Sequence, residues 1–157
     1  MMWRGGRLAV AAVLAGLAGP ALALSCLPPD PVRLYTEARD SADPYRIVSG
    51  RFDRVPDAGA KAEDAPVTFE ARLKGRSLGR LGFSAPFDSV VAVELTCLSV
   101  WCAPPPEAGH DLLVAVREDG QRQIVSLGPC PSNALPLDAA GEQAVVDCHR
   151  SGLCASK

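Results

Sequence analysis

Six cysteines (Cys26, Cys97, Cys102, Cys130, Cys148 and Cys154) and two histidines (His110 and His149) could support covalent, redox, metal or acid–base chemistry near neutral pH. Cys97 and Cys102 enclose four residues, Leu98-Ser99-Val100-Trp101, whereas a thioredoxin-like redox pair encloses two. Trp101 between them reads as packing or loop anchoring. Cys148-His149 with Cys154 can be drawn as three metal ligands, yet the spacing matches no common zinc pattern. His110 stands beside Asp111 at the start of a strand pattern, where a histidine is more often a solvated loop residue than a general base. Only His110 and His149 are available as near-neutral general bases. The expectation is of a protein that is not an enzyme and uses neither a cofactor nor a metal.

All six cysteines follow an export leader, and that decides what they are for. Arg4 and Arg7 precede a charge-free apolar run from Leu8 to Ala18, Gly19-Pro20 breaks it, and Ala21-Leu22-Ala23 supplies small residues where a signal peptidase reads. The run is too short to span a bilayer, and no later stretch is long enough. Residues 1–23 are therefore read as a signal peptide and residues 24–157 as one exported domain, periplasmic or secreted. A second register, Ala23-Leu24-Ser25, would make Cys26 the first mature residue. A lipid anchor would want Leu and a small residue where Ala23 and Leu24 stand, so lipoprotein anchoring is not expected. In an oxidising compartment, six cysteines form a disulfide framework with fifteen possible pairings.

Losing Arg4 and Arg7 with the leader leaves 14 basic against 18 acidic side chains, a net charge near −4. Mild acidity without grouped Lys and Arg argues against nucleic acid, since neutralising phosphates requires a basic cluster. The preference for Arg over Lys, the many Ala, Gly and Pro, and the single Asn read as the composition of a GC-rich bacterial genome.

The elements that position the cysteines follow from periodicity. Asp30-Pro31 opens a short helix to about Ser41, with Val32, Tyr35 and Ala38 at helical spacing. Tyr45 to Val55 alternates as a first strand and Val67 to Leu73 as a second. Between them, Pro56 to Pro66 reads as an exposed loop. Its three carboxylates, Asp57, Glu63 and Asp64, lie beside Lys61 and suggest solvation rather than calcium binding. Gly75 to Gly82 reads as a glycine-rich turn; no helix follows it, so a phosphate-cradling loop is not expected. Val91 to Thr96 forms a third strand that delivers its end to Cys97, and Pro104-Pro105-Pro106 holds the next loop extended. Leu112, Val114 and Val116 line a fourth strand, Asp119-Gly120 turns, and Gln123 to Leu127 returns as a fifth ending at Gly128-Pro129-Cys130. A final helix spans Asp138 to Arg150, with Gly152 suited to end it. Five strands with short turns imply a mainly β fold, a small barrel or sandwich.

In this order the chain resembles the tissue inhibitors of metalloproteinases and the wider netrin-like module. The likeness is carried by Cys26 with Pro28-Pro29, by Tyr45-Arg46-Ile47-Val48-Ser49-Gly50-Arg51-Phe52, and by Val67 to Gly75 with its Lys-Gly turn. Trp101-Cys102 before a proline-rich loop, Gly109-His110-Asp111-Leu112-Leu113-Val114, and Cys130 after the fifth strand complete it. The resemblance implies a five-stranded OB-type barrel with short terminal helices. It also implies the pairings Cys26 with Cys130, Cys97 with Cys102, and Cys148 with Cys154. In the chain-entropy description the first of these contributes roughly 4 to 5 kcal/mol and the second about 2.

Two functions follow. One is an exported binding module that holds a protein or glycan partner through its barrel face or loops. The alternative is a metalloprotease inhibitor: in the family, a free N-terminal cysteine chelates the protease zinc through its amine and carbonyl. That role would fall to Cys26, with Leu27 entering the neighbouring pocket, only if cleavage follows Ser25. The chain departs from the family's Cys-x-Cys start, because position 28 is Pro.

Overall fold

A computed structural model describes residues 25–55 and 66–155. The expected leader and nearly all of the acidic loop before Pro66, including the carboxylates weighed for calcium, lie outside the described residues. Helix α1 (Pro31–Asp40) starts where Asp30 accepts hydrogen bonds from the Val32 and Arg33 amides at 2.9 and 3.2 Å, with Pro31 in the first turn. It stops one residue short of the expected Ser41, which adopts extended backbone. Helix α2 (Ala139–Ser151) is capped by Asp138, which accepts from the Gly141 amide at 2.7 Å. Gly152, at φ +71°, ends it by donating its amide to the Cys148 carbonyl.

The strands are β1 (Tyr45–Phe52), β2 (Val67–Gly79), β3 (Gly82–Leu95), β4 (Cys97–Leu98), β5 (Trp101–Cys102), β6 (Leu112–Asp119), β7 (Arg122–Leu127) and β8 (Ala134–Pro136). Five of them join in the order β1-β2-β3-β7-β6, and β6 pairs back onto β1, so the sheet closes into a ring. All its ladders are antiparallel except β3 with β7, which run parallel from Ala92↔Ile124 to Leu95↔Leu127. The β8 strand pairs with Leu112 to Val114 of β6, where β7 has left that edge. Closure is local: β7 joins β3 only from Ala92 to Leu95, so among the described residues Gly82 to Val91 of β3 are laddered on the β2 side alone.

Two sequence expectations change here. Gly75 to Gly82 is not a turn: β2 continues to Gly79, and only Arg80-Leu81 separate it from β3, which starts nine residues before Val91. Gly75 sits mid-strand opposite Gly50. A Cβ on Gly50 would collide with the Lys74 carbonyl oxygen, and one on Gly75 with the Ser49 carbonyl oxygen. Residues 48–50 of β1 pair with β2 on one side and β6 on the other, so the strand must coil tightly there, and the missing side chains let the backbones approach. The second change is the hairpin between β6 and β7: Asp119 pairs with Arg122, and the two turn residues are Gly120, at φ +61°, and Gln121.

Apolar side chains bury on both sides of the ring wall. Phe52, Leu73, Val91, Val93, Leu95, Val114 and Val125 fill its interior. On the outside, α1 and α2 cover Ile47, Leu113 and Ala115 with Leu34, Tyr35, Val145 and Val146. Strand β6 is the shared wall, and its run Leu112-Leu113-Val114-Ala115-Val116 is buried on both faces.

Candidate binding groove and apolar hairpin

Three bridges join the cysteines: Cys26–Cys130, Cys97–Cys102 and Cys148–Cys154, with Cα separations of 5.3, 3.9 and 4.6 Å. With Cys148 and Cys154 bonded to each other, neither offers a thiolate to a metal. Three disulfides fit a protein that folds outside the reducing cytosol. Among the described residues no helix is long and apolar enough to cross a membrane.

The Cys26–Cys130 bond ties the extended N-terminal arm to the segment after β7, and the two create one wall of an open groove of about 920 Å³. The starts of α1 and α2 line it as well. They meet closely, because a Cβ on Gly141 would stand 3.1 Å from the Pro31 ring. Pro104-Pro105-Pro106 adds to the lining. Eight lining residues are proline, drawn from four separate parts of the chain: Pro29 and Pro31, Pro104 to Pro106, Pro129 and Pro131, and Pro136. Proline rings have little conformational freedom to lose, so such a cleft is preorganised for an apolar ligand.

Charge in the groove has one sign. Asp30, Glu107, Asp111 and Asp138 line it, and none of the described lining residues is Lys or Arg. Asp30 and Asp138 cap the helices, Asp111 holds Arg51 at 2.6 Å, and Glu107 lies 3.4 Å from His110. Both helix N-termini are thus already answered by carboxylates, which removes their pull on an anion. A second depression near Gly50 and Gly75 collects Arg51, Lys74 and Arg76, and each is matched by Asp111, Asp53 or Glu142.

Each histidine has a partner in the structure. His110 is on the exposed rim with Glu107. His149 shares a 2.9 Å hydrogen bond with the Tyr35 hydroxyl, edge-on to its ring, and joins α2 to α1.

Beside the groove projects a disulfide-closed hairpin, β4 and β5, with Ser99 and Val100 at its tip. Trp101 does not pack: it is 50% exposed, with Leu98 and Val100 at 59% and 75%. The reason is the bridge itself, which pairs Cys97 with Cys102 across the hairpin base and turns the four enclosed residues outward. Ser99 takes φ +56°, a left-handed conformation that a non-glycine residue adopts at a cost of about 1 kcal/mol or more. The base is fastened to the groove, because the Thr96 amide and hydroxyl both donate to the Leu127 carbonyl at 2.8 and 3.0 Å, and Leu127 lines the cleft.

Sequence reasoning marked Cys26, Cys130, Cys97 and Cys102 but not the groove between them. A signal existed: Pro28-Pro29 after Cys26 and Pro129 and Pro131 around Cys130 are brought together by the bridge. No known protein family matches this chain, and neither a characterised protein nor a solved structure shows significant similarity to it.

Proposed function

We propose that this is an exported, disulfide-stapled binding module built on an OB-type barrel of the netrin-like kind, and that it holds an extended peptide segment of a partner protein in the proline-lined groove. The ring order β1-β2-β3-β7-β6, closed by a parallel β3–β7 pair, supports the barrel reading. One observation carries the ligand class: the groove is apolar and preorganised, with carboxylates but no cations among its described lining residues. A peptide with apolar side chains and a Lys or Arg near the rim fits that lining. A glycan fits less well, because His110 is the single aromatic ring among the described lining residues, and Asn, Gln and Arg are missing from them. The test is selection from a displayed random-peptide library on the exported protein. Recovered peptides should be enriched in Lys or Arg beside apolar residues and should lose binding to Ala144→Arg, a change at an exposed groove position of α2. Peptides that bind the variant as well as the wild type overturn the reading.

One observation favours a second function. Leu27 is 69% exposed immediately after the tethered Cys26, the arrangement an inhibitory N-terminus requires. An intact mass of the exported protein decides whether that terminus exists. A chain beginning at Cys26 that inhibits zinc endopeptidases supports the inhibitor, whereas one beginning at Leu24 removes it, because the Cys26 nitrogen is then an amide.

A further inference from the structure

Among the described residues Leu27, Leu81, Val90 and Leu153 are exposed singly along the chain, whereas Leu98, Val100 and Trp101 are exposed together at one hairpin tip. Scattered exposed apolar residues are ordinary on a protein surface; a cluster held in water by its own disulfide marks a contact site. None of the three lines the groove. We infer that the tip Leu98-Ser99-Val100-Trp101 is a shallow insertion element for a zwitterionic phospholipid surface, whatever the groove holds.

Three features select lipid over a protein partner. The first is charge: from Leu95 to Pro106 no residue carries one. A specific protein contact is rimmed by polar and charged groups that fix its register, whereas hydrocarbon needs no such rim and penalises every charge brought near it. The second is the backbone. Strands β4 and β5 form a two-stranded sheet of their own, laddered from Cys97↔Cys102 to Leu98↔Trp101, so only the Ser99-Val100 turn still needs water or headgroups for its amides. The third is the order of exposure. Val100 and Leu98, at 75% and 59%, stand further out than Trp101 at 50%, and both cysteines are half-buried below them. Aliphatic side chains thus lead, and the indole follows at the depth of the headgroups, where its N–H finds an acceptor. Because the bridge already fixes the loop, insertion has little left to order.

The headgroup class follows from the surroundings. Glu107 ends the uncharged stretch, and the groove fastened to the hairpin base has carboxylates but no Lys or Arg among its described lining residues, so an anionic surface is repelled. Three side chains insert less hydrocarbon than one myristoyl chain does, which sets an association constant on the order of 10⁴ M⁻¹ or below.

Trp101 is the one tryptophan outside the expected leader, so the fluorescence of the exported protein reports the tip alone. Titration with phosphatidylcholine vesicles to millimolar lipid should move its emission to shorter wavelength, and brominated phosphatidylcholine should quench it. The double change Leu98→Ser with Val100→Ser keeps the reporter and should weaken vesicle binding roughly tenfold or more. Its thermal midpoint should stay at the wild-type value, because neither side chain packs in the folded chain. Adding phosphatidylglycerol to the vesicles should weaken binding, and salt should restore it by screening the repulsion. Emission that millimolar phosphatidylcholine leaves unchanged overturns the inference, as does a double variant that binds as well as wild type. Binding that appears only with phosphatidylglycerol and fades in salt overturns it in favour of cations elsewhere on the surface. Tip-dependent self-association without lipid, seen by sedimentation velocity, overturns it in favour of a second copy of the chain.

Discussion

Cys26–Cys130 and Cys97–Cys102 are the same covalent bond in two different settings. The first joins residues 104 apart and ties the N-terminal arm to the far end of the strand ring; the second joins residues 5 apart and fastens nothing but its own hairpin. A long closed loop removes much more freedom from the unfolded chain than a short one, so the first bond acts mainly on stability. The short bond acts on shape. It holds Ser99 left-handed and keeps Leu98, Val100 and Trp101 in water, where the hydrophobic effect would otherwise fold them away. The difference teaches that disulfides here serve two ends: one assembles a groove from distant segments, the other presents an apolar tip beside it.

The comparison can be broken most decisively at its long-range arm. Cys26→Ser should cost about 4 to 5 kcal/mol and lower the thermal midpoint by roughly 15 °C, and should loosen the groove wall that Pro29 and Pro129 share. A loss no larger than that of Cys97→Ser would sink the distinction. Next in size is the ring interior, where Leu73→Ala, at a position with no solvent exposure, should cost about 3 kcal/mol by calorimetry. Gly75→Ala should cost about 2 kcal/mol, because its Cβ meets backbone that cannot step aside; an unchanged melt would show that β1 and β2 can part there.

Cys97→Ser sharpens the contrast from the other side. It should cost about 2 kcal/mol or less, yet release the tip, so that chymotrypsin cuts beside Leu98 or Trp101 much faster than the loss of stability explains. The smallest effect concerns surface charge. The Arg72 guanidinium, hydrogen-bonded to Asp88, holds that carboxyl below the usual carboxylate range. A depressed folded value means the stabilisation is present above the ordinary carboxylate range and is lost as pH falls through the folded value. Asp88→Asn should therefore trim stability slightly at neutral pH and flatten the acid limb of the melt, with the difference vanishing at the lowest pH. Both side chains are about half exposed in a solvent-facing pair, so the change should barely exceed the precision of a melting experiment.

What could be read along the chain was whatever local pattern encodes. Asp30-Pro31 and Gly152 announce the helix ends because capping is satisfied by residues within a turn. Alternation in Val67 to Leu73 and Leu112 to Val116 marks strands with a face toward a core. Glycine misled where its meaning is non-local. Gly75 looks like a turn residue in isolation, and only its partner Gly50, 25 positions earlier, shows that it sits in a strand crossing. Trp101 misled likewise, since a tryptophan between cysteines is ordinarily buried and the hairpin geometry alone turns it outward.

By itself, then, the sequence determined the count of bridges available, the helix caps and the major strands, because these depend on composition and on neighbours within a few residues. Tertiary structure decided that β1 pairs on both edges to close a ring, and that prolines from four segments converge on one cleft. It also decided that the cleft excludes cations among its described lining residues and lies beside an apolar tip. Those properties belong to the relative placement of segments up to a hundred residues apart. That placement is set by burial in the two cores and by the Cys26–Cys130 bond, which no local pattern records.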